Sequence, residues 1–169
     1  MDAVALKELQ APLKERYRED PDAALVTLSA RGSLDEGIAC SVGTGRAIAQ
    51  AGLHPATGGD GSQLCSGDML LEALVACAGV TLGSVATSLE IPVVGGSVTA
   101  EGELDFRGTL AVDREAPVGF RSIRMRFTLD TDADDEQLAT LLRLTERYCV
   151  VLQTIAGGVP VAADLARAG

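Results

Sequence analysis

The sequence predicts an α+β fold, with helices packed on antiparallel sheets, on three observations. Alternating strand patterns fall into two groups, one before and one after a long apolar helical segment centred on Cys77. The resulting order is strands, helix, strands, helix, strand, without the strict alternation of a doubly wound sheet. No G-x-G-x-x-G joins a strand to a helix, so a dinucleotide fold is not expected.

The elements follow in chain order. Residues 3–19 read as a helix with Leu6, Leu9, Leu13 and Tyr17 on one side, and Pro12 inside it predicts a kink or a split. The stretch from 20 to 52 reads as a meander: Val26 and Leu28 alternate with Thr27 and Ser29, and Gly32, Gly37, Gly43 and Gly45 punctuate it. "LHPATGGDGSQLCSG" is a loop by composition. It lacks the G-x-x-x-x-G-K-[ST] of a phosphate cradle, and its one charge is the acidic Asp60.

Ser66 followed by Asp68 marks the start of the central helix, which Pro92 limits at about Leu89. Leu70, Leu74, Cys77 and Thr81 share one stripe of it, and Ala73, Ala76, Gly79 and Gly83 another. Apolar on most sides, this helix is expected at the centre of the fold. "SVTAEGELD" and "SIRMRFTLD" each alternate apolar with polar residues, as half-buried strands with one wet face do. On that face a Glu row is expected opposite an Arg row. A second helix follows, with Leu138, Leu141, Leu142, Thr145 and Cys149 as its apolar stripe, and "AGGVPVAADLA" is expected to close the chain as an edge strand.

A helical segment, 1–20, is expected ahead of a single domain, 21–169. The chain carries 24 acidic against 14 basic side chains, a formal net charge of −10, which disfavours nucleic acid and anionic membranes as partners. The first twenty residues are charged throughout with no apolar run, and residues 73–90 read as too polar for a bilayer span. A cytoplasmic protein without membrane association is therefore expected. Its four cysteines form no C-x-x-C and are accompanied by one histidine, so neither a metal nor another cofactor is expected.

Cys77 and Cys149 each occupy the core-facing stripe of a helix, and their sulfurs would meet if those helices packed face to face. Either is a small packing hydrophobe or a reagent; an apolar setting alone raises a thiol's pKa. Mid-helix, Cys77 gains little from its own helix's dipole, so reactivity would require a cation or donor from elsewhere. Cys40 and Cys65 read as structural, although Cys65 lies just before a helix start.

The pattern L-L-x-A-L-x-A-C-x-x-x-T, followed by "VTAEGELDFRG", a "GF..I" strand and "LTERYC", resembles the OsmC/Ohr family over residues 25–161. The resemblance implies an intertwined α+β homodimer with two interfacial active sites. In such proteins the first cysteine attacks a hydroperoxide, becomes a sulfenic acid and is resolved by the second; a thiol or dithiol, such as a lipoyl group, then restores both. Carried over by position, Cys77 is peroxidatic and Cys149 resolving, a sequence of steps that guards against over-oxidation. An apolar pocket would favour organic over hydrogen peroxide.

The family's Pro-Glu at the helix start is replaced here by Ser66-Gly67-Asp68, and the loop before it has no arginine. Arg46 is the best remaining counterpart, with Arg31 behind it, and His54 is the loop's one potential cation. Val150 stands where the family often has proline, so the helix is expected to continue past Cys149. The alternative readings are a non-catalytic redox-responsive or small-hydrophobe-binding protein of this type, and a structural dimer module with inert cysteines.

Overall fold

A computed structural model describes residues 2–19, 32–34, 39–43, 48–111 and 113–167, with residues 9, 12–18, 32–34, 39–43 and 48 described through their backbone alone. Val26, Leu28, Arg31 and Arg46 lie outside the described residues, as do the side chains of Leu9, Leu13 and Tyr17.

Helix α1 (Ala3–Glu19) runs unbroken through Pro12, with its start capped by the Asp2 carboxylate accepting from the Ala5 N–H at 2.8 Å. The first sheet joins β1 (Gly32–Leu34), β2 (Ala39–Gly43) and β3 (Ile48–Gly52) as an antiparallel meander. A two-residue strand, β4 (Leu64–Cys65), then pairs parallel to β3. The intervening loop holds a 3-10 turn at Pro55–Thr57, closed by Gly58 at φ 97°, a left-handed conformation that glycine takes without penalty.

Helix α2 (Ser66–Ser88) follows with Cys65 as its N-cap and Asp68 in its first turn. Its buried stripe is Leu74, Ala78, Leu82 and Ala86, rotated from the stripe expected through Leu70 and Cys77. Cys77 sits half-buried at the edge of this stripe, and Leu70 and Val80 are exposed within one chain. Periodicity alone could not choose the stripe, because almost every side of the helix is apolar. For the same reason α2 is long and apolar enough to cross a membrane, against the reading that its Gly, Ser and Thr make it too polar. Its Ala, Val and Leu outweigh them.

The second sheet pairs β5 (Gly95–Leu104) with β6 (Phe120–Asp130) in antiparallel register, with Glu101 opposite Arg124 and Glu103 opposite Ser122. The expected alternation holds: Val98 and Ala100 pack inward with Ile123, Met125 and Phe127, while the Glu and Arg residues face water. Gly102 is required because a Cβ there would collide with the Phe120 ring. Between these strands a short helix, α3 (Phe106–Thr109), is braced by Arg107, whose guanidinium spans Asp105 at 2.6 Å and Asp113 at 3.2 Å.

Helix α4 (Asp135–Tyr148) opens on a capping box in which Asp134 accepts from the Gln137 N–H and Gln137 reaches back to the Asp134 N–H. Leu141 and Thr145 are its buried residues; Leu142 is exposed. The helix does not continue past Cys149, as Val150 had suggested: Cys149 is extended (φ −73°, ψ 106°), and α5 (Val150–Gly157) begins after it. Beyond Gly158 the described chain has no regular structure, so the expected closing strand is not formed within one chain.

Two apolar clusters hold these parts together. Leu82, Ala86, Ile91 and Leu141 join α2 to α4 and the far end of the second sheet. Leu74, Ala78 and Cys149 join α2 to the α4–α5 junction and to the sheet's inner face.

Candidate functional site

Cys77 lies in the second cluster, packed with Cys149 and with Val151 and Leu152 of the first turn of α5. That turn matters chemically because the first N–H groups of a helix have no intrahelical partner. Those of Val151 and Val150 are directed to the Cys77 sulfur, and the Cys149 thiol and the Thr81 hydroxyl add two more donors. Together they lower the Cys77 thiol below the ordinary value of 9.0, the Val151 N–H contributing most and burial opposing. Among the described residues the groups that lower it are neutral donors. A helix N-terminus acts on a thiolate much as a fixed positive charge does.

Cys149 is fully buried and behaves oppositely. Burial pushes its thiol up, and holding its proton toward Cys77 pushes it further, against weaker hydrogen bonds from the Leu152 and Val151 N–H groups. The break between α4 and α5 makes this placement possible. The Cys149 N–H bonds the Thr145 carbonyl at 2.9 Å as the end of one helix, while its carbonyl accepts from the Gln153 N–H at 2.9 Å as the start of the next. The Gln153 side chain clasps the junction by donating to the Glu146 carbonyl at 2.9 Å. Glu146 thus serves this corner through its backbone, and its side chain is exposed.

His54 lies elsewhere. Its Nδ1 accepts from the Ala56 N–H at 3.0 Å, which places the ring proton on Nε2, and the ring stacks on Phe106 at 4.9 Å. It opens onto a cleft of about 530 Å³ with Cys65, Asp68, Phe120 and Arg121. Asp68 is nine residues before Cys77 on α2, about 13.5 Å along the axis. Within one chain the structure therefore brings Cys77 and Cys149 together at the middle of α2 and leaves His54 beside its N-terminal end. Cys40 is in β2, and Arg46 is outside the described residues.

The donors at Val150 and Val151 escaped sequence reasoning because a backbone N–H leaves no mark in a sequence. Thr81 was visible as the companion of Cys77 on one stripe, one turn on. Among the described residues no group of three or more His, Cys, Asp or Glu side chains could hold a metal.

The fold is thus an antiparallel pair of strands carrying a long cysteine-bearing helix, with a second cysteine at a helix break. The chain belongs to the OsmC-like protein family, which matches residues 59–164. Among solved structures, an OsmC-like protein from Mycoplasma pneumoniae superposes with a TM-score of 0.67 at 14% identity, covering 79% of this chain and 89% of the other. An organic hydroperoxide resistance protein, OsmC, from Legionella pneumophila gives 0.62 at 18% identity, covering 79% and 92%. One from Elizabethkingia anophelis gives 0.60 at 14%, covering 80% and 91%. At these identities the likeness establishes the fold alone. No curated protein matches the sequence.

Proposed function

We propose that the chain is a thiol-dependent peroxidase that reduces organic hydroperoxides, working as a cytoplasmic homodimer. The observation that carries this reading is the pairing of Cys77 with Cys149: one thiol biased toward thiolate beside one biased toward thiol. The names of several structural neighbours agree with it.

The Cys77 thiolate attacks the terminal oxygen of R–O–O–H. The O–O bond breaks, Cys77 becomes a sulfenic acid, and the alkoxide leaves as R–OH with one proton. Cys149 then displaces hydroxide from that sulfur, giving a disulfide and water. An external thiol or dithiol, for example a lipoyl group, returns both to thiols by exchange. The α5 N–H groups stabilise the thiolate, and Arg46, two residues ahead of β3 in the sequence, is proposed to add a cation. His54, engaged as a turn cap, has no step in this scheme. The exposed apolar sides of α2 are covered by a second copy of the chain, which makes the cysteine helix central to the assembled protein.

Intact mass after one equivalent of tert-butyl hydroperoxide tests the reading. The native chain should lose two hydrogens, and Cys149→Ser should instead gain one oxygen, trapped by dimedone at Cys77. Four unchanged thiols would sink it.

One observation favours a second reading, a carrier of small hydrophobic molecules. An apolar cavity of about 430 Å³ lies between β6 and α4, lined by Leu82, Met125, Phe127, Leu129 and Leu138. Saturable binding of an apolar dye by a chain whose thiols ignore hydroperoxides would select it.

A further inference from the structure

Breaking an O–O bond at Cys77 expels an alkoxide, a far stronger base than a thiolate. The bond breaks more readily when an acid within reach gives that oxygen a proton as it leaves. Four donors face the Cys77 sulfur: the Val151 and Val150 N–H groups, the Cys149 thiol and the Thr81 hydroxyl. Backbone amides do not give up their protons, and a hydroxyl is a far weaker acid than a thiol. Among the described residues no carboxylate, histidine or lysine contributes to the acidity of either thiol. Cys149 is 0% exposed in the cluster it shares with Cys77, so its proton is held against the reacting sulfur and away from bulk water.

From this geometry we infer that Cys149 is also the general acid of the first step, giving its thiol proton to the departing alkoxide. The assignment rests on the peroxidase reading. The Cys77 thiolate bonds to the terminal oxygen of R–O–O–H, and the O–O electron pair leaves with the inner oxygen. The Cys149 proton passes to that inner oxygen. The products are the Cys77 sulfenic acid, R–OH and a Cys149 thiolate, so one negative charge enters and one remains. The Leu152 and Val151 N–H groups are directed to the Cys149 sulfur and receive that charge. The new thiolate then attacks the Cys77 sulfur and displaces hydroxide, which takes a proton from solvent. Burial keeps the Cys149 thiol protonated until a base as strong as an alkoxide appears. One proton transfer therefore releases the alcohol and readies the resolving cysteine.

The test follows loss of the Cys77 thiol, by rapid quench and mass, with two oxidants. tert-Butyl hydroperoxide expels an alkoxide that needs a proton; peracetic acid expels a carboxylate that needs none at neutral pH. In Cys149→Ser the hydroxyl keeps the volume and the hydrogen bond but is too weak an acid. The ratio of tert-butyl to peracid rates should then fall about tenfold or more, since a general acid contributes about a hundredfold or more. Taking the ratio cancels any change in the thiolate fraction of Cys77, and a merely structural loss would slow both oxidants alike. Deuterated solvent gives a second readout on the native chain: the tert-butyl reaction should slow more than the peracid reaction. An unchanged ratio in folded Cys149→Ser, or in deuterated solvent if that variant does not fold, would overturn the assignment. The hydroperoxide's own proton would then reach the alkoxide, and the peroxidase would stand. Failure of tert-butyl hydroperoxide to oxidise native Cys77 would overturn the peroxidase reading, and the acid's role with it.

Discussion

Cys77 and Cys149 pack together in one apolar cluster, yet their surroundings move them in opposite directions: the Val151 N–H foremost, with the Cys149 thiol adding to it, draws Cys77 down, and burial foremost pushes Cys149 up. A pair whose environments push its acidities apart has its roles assigned by that difference. Cys77 is the group that ionises first, and Cys149 is the one that keeps a proton to stabilise it.

Alkylation by iodoacetamide should read this directly. The thiolate is the reacting form, so a lowered value means a larger thiolate fraction of Cys77 at neutral pH than an ordinary thiol has. Its labelling rate should rise with pH and reach half its plateau below the ordinary value of 9.0. Cys149, buried and raised, should label only at higher pH or after unfolding. In denaturant the two should become equivalent. Equal labelling of both in the native protein would remove the distinction.

Val150→Pro isolates the contribution of one donor. Proline suits the first position of a helix, and the residue before it must be extended, as Cys149 already is at ψ 106°. Val150 is 69% exposed, so little packing is lost. What goes is an N–H directed at the Cys77 sulfur. A hydrogen bond to a charged group contributes about 1.5–3 kcal/mol, part of which the Val151 N–H retains. Alkylation at neutral pH should slow about three- to tenfold, with the far-UV spectrum preserved. An unchanged rate would show that α5 does not activate the thiol.

The parts of the fold written in side-chain patterns were legible, and those written in the backbone were not. The alternation through Val98–Leu104 and Ile123–Leu129 gave both strands of the second sheet, and "DTDADDE" marked the start of α4. Helix α5 carries no such signal: its N-cap is a cysteine with no capping bond, and its first residues are two β-branched valines. Strand β4 is two residues long and pairs in parallel with β3 across the loop that joins them. The cysteine pair could be named from spacing and resemblance. The activating groups could not, since they exist only once Cys149 breaks the helix and turns the next N-terminus toward Cys77.

Leu141 bears on stability rather than chemistry. It is 1% exposed and fastens α4 to Leu82 and Ala86 of α2 and to Ile91. Leu141→Ala should cost about 2–5 kcal/mol, depending on how far the site collapses. The melting temperature should fall by several degrees or more, and the α4–α5 corner that carries Cys149 should loosen with it. A melting curve superimposable on the native one would mean that this cluster does not hold α4 in place.

Helix α2 supplies the last prediction. In one chain it buries only Leu74, Ala78, Leu82 and Ala86, while Val80 is 77% exposed in an otherwise apolar segment. Among the described residues β5 and β6 pair only with each other, leaving the outer edge of each strand with unpaired backbone groups. An apolar helix face beside open strand edges favours association with a second copy, which satisfies both at once. The native chain should sediment as a dimer, and Val80→Asp should shift it toward monomer by placing two carboxylates near the symmetry-related contact. Reactivity of Cys77 should be followed in the same samples. A dimer that withstands the aspartate would place the contact elsewhere on the chain, and a monomeric native protein would remove it.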